Sequence, residues 1–385
     1  MNKTPFFRMK RSSEGEESED GAYFSCKEIE GALTFVNSTI TLCGHVHNEN
    51  KGMPVAYEYS GGDIPADKII SAKKLLQQKN QTDEDTPCKG CQFLQKKNWP
   101  KKEYLFDHIT IGHYTICNLQ CNYCYITDYT KEQTRIFSIA PYNAADSIAN
   151  TIKQGLLAPN ATAWLTAGEP TLFTEFEQIL NILLKNEIRT TIGTNCIRSF
   201  DIIKKGLQSN LIEILCSVDA GTSEKYHEIK GKNFHHVVWD NLEKYARINN
   251  DSVIVKYIFM DENASKTEVL TFINMCRSKK ISKVSISRDI RKYRGVLSAF
   301  PENMPEEMFQ AMALMMFEAI KNDIEVFFDV NWPVFSDDEI FKIKSLTLEI
   351  AKKSNYCISN LDLEKYFNNT TPILENMTTE KSITV

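Results

Sequence analysis

The chain has 385 residues, of which 42 % are hydrophobic and 25 % are charged. This length allows two or three domains, or one α/β barrel with additions, and the composition is that of an ordinary globular protein. The formal net charge is −5 and the pI is near 5.9. The chain therefore lacks the basic excess of a protein that grips phosphate backbones, and we expect no nucleic-acid partner.

The N-terminus favours a cytoplasmic protein. Residues 1–20 carry early positive charges and then acidic and polar residues, without the apolar core of a signal peptide. We expect them to form a disordered tail. No apolar run reaches the roughly 20 residues that a membrane span requires, so we expect no membrane anchor. In a reducing compartment, eleven cysteines indicate metal or cluster ligation rather than disulfides.

Changes in pattern divide the remaining chain into three predicted domains. Residues 21–101 are irregular and contain four cysteines, which predicts a small module held together by a ligand. Residues 102–300 alternate short β-rich runs with amphipathic segments, the pattern of βα repeats. Residues 301–385 have helical patterns at Glu306–Lys321 and Ser336–Lys353, which predict a C-terminal α-rich appendage. The predicted fold class is therefore α/β.

Six strand candidates define the middle domain: Ile109–Thr115, Thr162–Thr166, Arg189–Thr194, Leu211–Val218, Val253–Met260 and Ile281–Ser287. Helix candidates lie between them, at Asn143–Gln154, Thr174–Lys185, Asp201–Leu207, Phe234–Ile248 and Lys266–Arg277. Two of these helices are predicted to open with capping boxes, at Thr174–Glu177 and Ser265–Glu268. Alternating strands and helices imply a mostly parallel sheet and a partial or complete barrel, with ligands at the C-terminal ends of the strands.

The strongest motif is a cysteine-rich loop directly after the first of these strands. Cys117, Cys121 and Cys124 are spaced by four and three residues, so three thiolates can converge on one inorganic cluster. A four-iron cluster usually takes four cysteines, and three would leave one iron free to bind another molecule. The alternatives are a structural zinc site completed by a residue such as His113, or three buried structural thiols.

A second motif, Gly168-Glu169-Pro170, follows the second strand candidate. Its glycine lets a ligand approach the backbone, and its proline stiffens the turn. The tripeptide is weak support by itself. Its position at a strand end, one strand after the cysteine loop, makes it specific.

These two motifs resemble those of the radical S-adenosylmethionine (radical SAM) enzymes, over about residues 102–291. The resemblance implies a partial (βα)6 barrel of the radical SAM type. It also implies that Cys117, Cys121 and Cys124 are the catalytic ligands of a 4Fe-4S cluster, whose remaining iron binds SAM. An electron from a donor such as flavodoxin or ferredoxin would cleave SAM to methionine and a 5′-deoxyadenosyl radical.

The same resemblance implies which residues bind SAM. Tyr123 is expected beside the adenine, and Glu169, with Gly168 and Pro170, is expected to receive the methionine ammonium group. Family members commonly have Gly-Gly-Glu-Pro where this chain has alanine at position 167. At two further strand ends, the residues expected near the ribose, the carboxylate or the substrate are Thr194, Asn195, Ser217 and Asp219. Their alternative role is that of ordinary turn or cap residues.

A second group of cysteines precedes the predicted barrel, at Cys26, Cys43, Cys88 and Cys91. Four thiols, two of them in a C-x-x-C pair, suit a closed four-ligand site for iron-sulfur or zinc. In outline, the chain resembles radical SAM proteins with an auxiliary cluster in a cysteine-rich extension, which is familiar mainly at the C-terminus. We expect an auxiliary 4Fe-4S cluster here, with structural zinc or unliganded core thiols as the alternatives.

The predicted function is that of a radical SAM enzyme that takes a hydrogen atom from a peptide, a sugar or a small metabolite. An auxiliary cluster would favour a net oxidation, and its absence an epimerisation or rearrangement. The alternative is a non-enzymatic zinc or iron-sulfur binding module. An open three-cysteine loop beside the Gly-Glu-Pro turn argues against that alternative, because a structural site needs no open position.

Overall fold

The computed structural model describes residues 21–36, 39–44, 52–58, 64–82, 84–91, 93–100, 105–124, 144–289, 292, 303–329 and 335–358. The predicted tail at residues 1–20 lies outside this part of the chain. The chain divides into two compact units. The first unit comprises residues 1–120, 124–194 and 198–215, and the second comprises residues 121–123, 195–197 and 216–385.

The first unit contains a mainly parallel sheet. The strands of this unit are β1 (Tyr23–Ser25), β2 (Ala32–Val36), β3 (Thr39–Thr41), β4 (Val55–Glu58), β5 (Gln95–Lys97), β6 (Phe106–Ile111), β7 (Leu157–Leu165), β8 (Arg189–Gly193) and β9 (Ile212–Ser217). The last two residues of β9 belong to the second unit. Strands β2, β6, β7, β8 and β9 are paired in parallel in that order. Strands β3 and β4 extend this sheet in antiparallel pairing, while β1 pairs only with β5 among the described strands.

Helices connect the strands of the first unit: α1 (Lys27–Gly31), α2 (Ala66–Asn80), α3 (Ala144–Lys153), α4 (Phe176–Lys185) and α5 (Asp201–Gln208). The last three are amphipathic, and each buries aliphatic side chains on one face, among them Ile148, Ile179 and Ile203. This burial follows from apolar residues recurring at helical spacing.

The second unit repeats the alternation of strands and helices. Its elements are α6 (Ser223–Lys230), α7 (His235–Ala246), β10 (Val253–Phe259), α8 (Lys266–Ser278), β11 (Lys283–Arg288), α9 (Glu306–Lys321), β12 (Glu325–Phe328) and α10 (Asp337–Lys353). Strands β10, β11 and β12 are parallel. The aromatic ring of Phe272 packs against those of Trp239 and Tyr257, with centroids 5.8 and 4.7 Å apart.

The structure confirms the predicted α/β class with parallel strands, and it shifts the ends of several elements. The first predicted strand, Ile109–Thr115, runs instead from Phe106 to Ile111. The loop that carries the cysteines therefore begins earlier. Helix α9 has the predicted bounds, Glu306–Lys321, and the methionines of its 308–316 run are buried as core residues.

One predicted capping box is wrong, and another forms only in part. Helix α4 begins at Phe176, without a side-chain cap, instead of at Thr174. At α8, the Ser265 hydroxyl accepts from the Glu268 backbone, but the Glu268 carboxylate accepts from Gly221 and Thr222. The Glu268 carboxylate is thus held by tertiary partners that the local sequence does not reveal.

No helix in the described part of the chain is long and apolar enough to cross a membrane.

Candidate active site

The loop after β6 carries the three predicted cluster ligands. Cys117 is exposed, and Cys121 and Cys124 are partly exposed. The backbone N–H of Leu119 donates to the Cys117 sulfur at 3.4 Å. Three accessible thiols within eight residues are a donor set that suits an iron-sulfur cluster.

These thiols are not gathered around a point. Within the described ranges, no three His, Cys, Asp or Glu side chains form a group that could hold a metal ion. The assignment of the three cysteines as ligands stays a prediction.

The end of strand β7 packs against the backbone that leads into Cys117. Gly168 has a φ of +51°, and a Cβ atom there would lie 2.6 Å from the Thr115 carbonyl carbon and closer still to the Ile116 oxygen. Only glycine fits such an approach. The backbone N–H of Glu169 donates to the Ile116 oxygen at 2.7 Å. The Gly-Glu-Pro turn therefore fixes the start of the cysteine loop.

Ala167 stands where family members commonly have glycine, and it lies in a backbone conformation that favours glycine. Its φ is +63°, in the left-handed region that costs an L-residue roughly 1–2 kcal/mol. The departure from Gly-Gly-Glu-Pro therefore leaves a strained alanine where a glycine would carry no steric cost.

The carboxylate of Glu169 is buried, with 1 % of the residue exposed. One of its oxygens accepts from the Thr171 backbone N–H at 3.1 Å, from the Thr171 hydroxyl at 2.6 Å and from the Thr194 hydroxyl at 2.6 Å. Glu169 and Thr194 were predicted from two separate strand ends, and the structure brings them together. Pro170 opens the 3-10 turn Pro170–Leu172, which Glu169 caps.

A buried histidine–carboxylate pair lies in the same unit. The sequence indicated His113 only as an alternative zinc ligand and did not reveal its partner. The Nε2 atom of His113 lies 2.9 Å from an oxygen of Glu175. Burial would raise the pKa of Glu175, but hydrogen bonds from His113 and Thr174 lower it to about 2. The His113 ring also packs edge-on against Phe173, with centroids 4.9 Å apart. The ring of His113 is thus held by Glu175.

In the second unit, a buried ion pair anchors Tyr123. The Lys230 ammonium lies 2.5 Å from a carboxylate oxygen of Asp219, and both side chains are at most 1 % exposed. The Tyr123 hydroxyl donates to that same oxygen at 2.6 Å, while Lys230 donates to the Tyr123 hydroxyl at 2.6 Å. The backbone N–H of Asn122 donates to the Ile229 oxygen at 2.9 Å. The end of α6 therefore holds the 121–123 stretch.

Lys230 was not singled out by the sequence, in which a lysine near a helix C-terminus is an ordinary exposed residue. Burial would lower the pKa of its ammonium group, but the negative charges of Asp219 and Cys121 raise it. The buried lysine is therefore a cation that interacts electrostatically with one of the predicted ligands. Its partners are distant in sequence, so no local pattern identifies it.

The other strand-end residues of the second unit have structural contacts. The second oxygen of Asp219 accepts from the Ile258 backbone at 2.7 Å. The side chain of Asn195 accepts from the Ile197 backbone at 3.1 Å, as a turn residue does. Ser217 is the partly exposed last residue of β9. Their predicted contacts to SAM or substrate stay predictions.

The four N-terminal cysteines lie on the wall of one cavity in the first unit. Three of them, Cys26, Cys43 and Cys88, are buried, and Cys91 is partly exposed. Burial raises the pKa of the Cys26 thiol to about 12. The structure thus places the second cysteine group that the sequence singled out around one cavity. Among the described residues, no three of these thiols are gathered closely enough to hold a metal ion, so their role as ligands stays a prediction.

Residues 111–273 match the family model of the Radical SAM superfamily. The chain therefore contains a radical SAM domain, and the predicted resemblance is confirmed. The cofactors of this family are the predicted ones, SAM and a 4Fe-4S cluster.

Several curated relatives share part of this domain. The GTP 3′,8-cyclase of Vibrio parahaemolyticus is 23 % identical over 198 residues, which are 50 % of this chain and 56 % of the relative. The probable GTP 3′,8-cyclase of Methanococcus maripaludis is 25 % identical over 146 residues, 38 % of this chain and 47 % of the relative. The chain spans about half the length of the curated relatives it matches.

A solved structure is also similar, the Streptococcus suis SuiB crystal structure with bound S-adenosylmethionine. Its TM-score is 0.46 at 16 % identity, with 71 % of this chain and 56 % of that chain covered.

Proposed function

We propose that the chain is a radical SAM enzyme that reductively cleaves SAM and takes a hydrogen atom from its substrate. Cys117, Cys121 and Cys124 would hold the 4Fe-4S cluster. When bound, the cluster and SAM supply a 5′-deoxyadenosyl radical. The match of residues 111–273 to the radical SAM family supports this proposal.

The observation that carries the proposal is the packing of the Gly-Glu-Pro turn on the cysteine loop. Gly168 lets the turn approach the backbone at Thr115 and Ile116, and Glu169 hydrogen-bonds to it. The loop therefore holds its first thiol at a defined place instead of sampling many. A ligand whose backbone is held in place before the metal arrives favours a catalytic site.

Glu169 would provide the negative charge that receives the methionine ammonium of SAM. Thr171 and Thr194 donate to its carboxylate and fix the rotamer. A charged acceptor of this kind forms shorter and stronger hydrogen bonds than a neutral one. The other predicted SAM contacts are Tyr123, Gly168, Pro170, Asn195, Ser217 and Asp219.

The substrate would be a peptide, a sugar or a small metabolite, and the electron donor a flavodoxin or a ferredoxin. The reaction type, oxidation, epimerisation or rearrangement, depends on whether a second redox centre is present. Because the relatives are named GTP 3′,8-cyclases, GTP belongs in the first substrate screen.

The test is the formation of 5′-deoxyadenosine by anaerobically reconstituted, dithionite-reduced protein. We expect the product from the wild type, none from Cys121→Ala and the wild-type amount from Cys357→Ala, which removes an exposed thiol outside the loop. Full production by Cys121→Ala would overturn the proposal. So would a colourless wild-type protein that binds zinc in place of iron.

A further inference from the structure

Four cysteines from three separate stretches of the chain line one cavity of the first unit. They are Cys26, Cys43, Cys88 and Cys91. The cavity has an empty volume of about 400 Å³, with the space open to solvent included. Thiols distant in sequence have thus been brought to one wall by folding.

The Cys88–Cys91 pair is set in a tight turn. The Cys91 backbone N–H donates to the Cys88 oxygen at 3.0 Å, and Gly90 between them has a φ of +81°. A left-handed glycine lets the chain reverse between the two cysteines without steric cost. Both thiols of the pair thereby line the same cavity.

Backbone contacts also fix the first two cysteines. The Ile29 N–H donates to the Cys26 sulfur at 3.4 Å. The Glu28 carboxylate accepts a backbone hydrogen bond from Gly44, which ties the Cys26 segment to the residue after Cys43. Both segments are therefore held at the cavity independently of any bound group.

The rest of the wall is mainly apolar. Ile29, Phe93, Leu94, Pro54 and Pro87 line the same cavity. An apolar shell around thiols limits the access of solvent to a bound metal group.

We propose that Cys26, Cys43, Cys88 and Cys91 form a four-thiolate metal site in the N-terminal part of the chain. The site takes a thiophilic centre, either a 4Fe-4S cluster, as the sequence predicts, or a single zinc ion. Four protein thiolates complete the coordination of either group and leave no open position. On binding, each thiol loses its proton and the sulfur moves from the cavity wall onto the metal.

This proposal does not rest on the proposed enzymatic function, because none of the four cysteines belongs to the loop after β6. Removing the three thiols of the loop after β6 separates a failure of this proposal from a failure of the proposed enzymatic function. The full chain carrying Cys117→Ala, Cys121→Ala and Cys124→Ala keeps the N-terminal set intact.

The experiment measures iron, acid-labile sulfide and zinc in that triple variant after anaerobic reconstitution with iron and sulfide. A cluster gives about four irons and four sulfides per chain, and a zinc site gives about one zinc. Adding Cys88→Ser and Cys91→Ser should remove the metal. Adding Cys357→Ala, the exposed thiol, should leave it in place, and circular dichroism verifies that each variant is folded.

The site is supported if iron or zinc is bound by the triple variant, is lost when Cys88→Ser and Cys91→Ser are added, and is kept when Cys357→Ala is added. The content of acid-labile sulfide then decides between a cluster and a zinc ion. A folded triple variant with neither metal would overturn the proposal. Metal that survives Cys88→Ser and Cys91→Ser in a folded chain would overturn it as well. If the double change unfolds the protein, Cys91→Ser alone, at the most exposed of the four, replaces it.

Discussion

The backbone N–H of Glu169 donates to the carbonyl oxygen of Ile116 at 2.7 Å. Ile116 directly precedes Cys117, so a residue from the end of β7 holds the entry to the cysteine loop. Gly168 makes this approach possible, because any side chain would meet the backbone of residues 115 and 116. The Gly-Glu-Pro turn and the start of the cysteine loop, which the sequence singles out as separate motifs, therefore pack against each other.

Replacing Gly168 by alanine tests this packing. A Cβ atom would clash with the loop backbone, and the φ of +51° adds strain. We expect a loss of bound iron together with a destabilisation on the order of 1–3 kcal/mol. Gly155→Ala is the matched control, because Gly155 has a φ of +67° with no atom within 4 Å of its would-be Cβ.

In Gly155→Ala, backbone strain should lower the free energy of unfolding by about 1 kcal/mol, and the protein should keep its iron. The measurements are urea unfolding and iron content. Equal iron in Gly168→Ala and Gly155→Ala would contradict a role for the turn in holding the loop.

Changing Glu169 to glutamine should weaken SAM binding while the fold persists. The neutral amide loses a charge-assisted hydrogen bond, which is worth about 1.5–3 kcal/mol, or roughly 10- to 150-fold in affinity. Isothermal titration of the reconstituted protein with SAM measures the change. Glu177→Gln, an exposed position on α4, should bind as the wild type does. An unchanged affinity in Glu169→Gln would remove this residue from the SAM site.

Lys230→Met should destabilise the protein strongly. It leaves the Asp219 carboxylate buried without its cation, and breaking a buried pair in this way costs about 3–5 kcal/mol. Lys225→Met on the same helix removes an ion pair to Glu228 whose carboxylate is half exposed, which is worth at most about 1 kcal/mol. Urea unfolding compares the two.

Combining Lys230→Met with Asp219→Asn should restore part of the lost stability, because no unpaired charge remains. Equal losses in Lys230→Met and Lys225→Met would show that the buried pair contributes little.

The His113–Glu175 pair predicts a specific dependence of stability on pH. The pKa of Glu175 is lowered to about 2, below the value of about 4.3 in an unfolded chain. A lowered pKa contributes stability that is present above the unfolded value and is lost as the pH falls through the folded value. Wild-type stability should therefore fall between about pH 4.5 and pH 2.

Glu175→Gln should abolish this component, so its difference from the wild type should be largest at neutral pH and shrink towards pH 2. Unfolding followed over this range, with Glu177→Gln as the control, measures it. Loss of bound iron in acid affects all three proteins and cancels in the comparison. A difference that is constant with pH would contradict the pairing.

Much of the architecture could be predicted because the spacing of apolar residues along the chain indicates where helices and strands lie. Helix α9 has the bounds that its apolar spacing predicts, with Pro305 before it and Asn322 after it. Helix α2, by contrast, was not predicted. Only three of its residues, Ile69, Lys73 and Asn80, are buried, so its sequence shows no clear apolar stripe. It forms by packing that the sequence does not display.

The candidate site divides in the same way. The cysteine spacing and the Gly-Glu-Pro turn are short motifs with a chemical meaning, and the sequence reveals them. The pairing of Lys230 with Asp219 and that of His113 with Glu175 could not be predicted, because the tertiary fold brings these partners together. A charged residue can be recognised as buried only when the residues packed around it are known.

The most direct test of the account is the electron paramagnetic resonance spectrum of the reduced protein with and without SAM. Cys88→Ser and Cys91→Ser form the background, so that only the centre held by Cys117, Cys121 and Cys124 contributes. The account predicts the signal of a reduced 4Fe-4S cluster that changes when SAM is added, because three thiolates leave one iron open to it. A cluster signal that SAM leaves unchanged, or a folded protein with no cluster signal, would contradict the central claim.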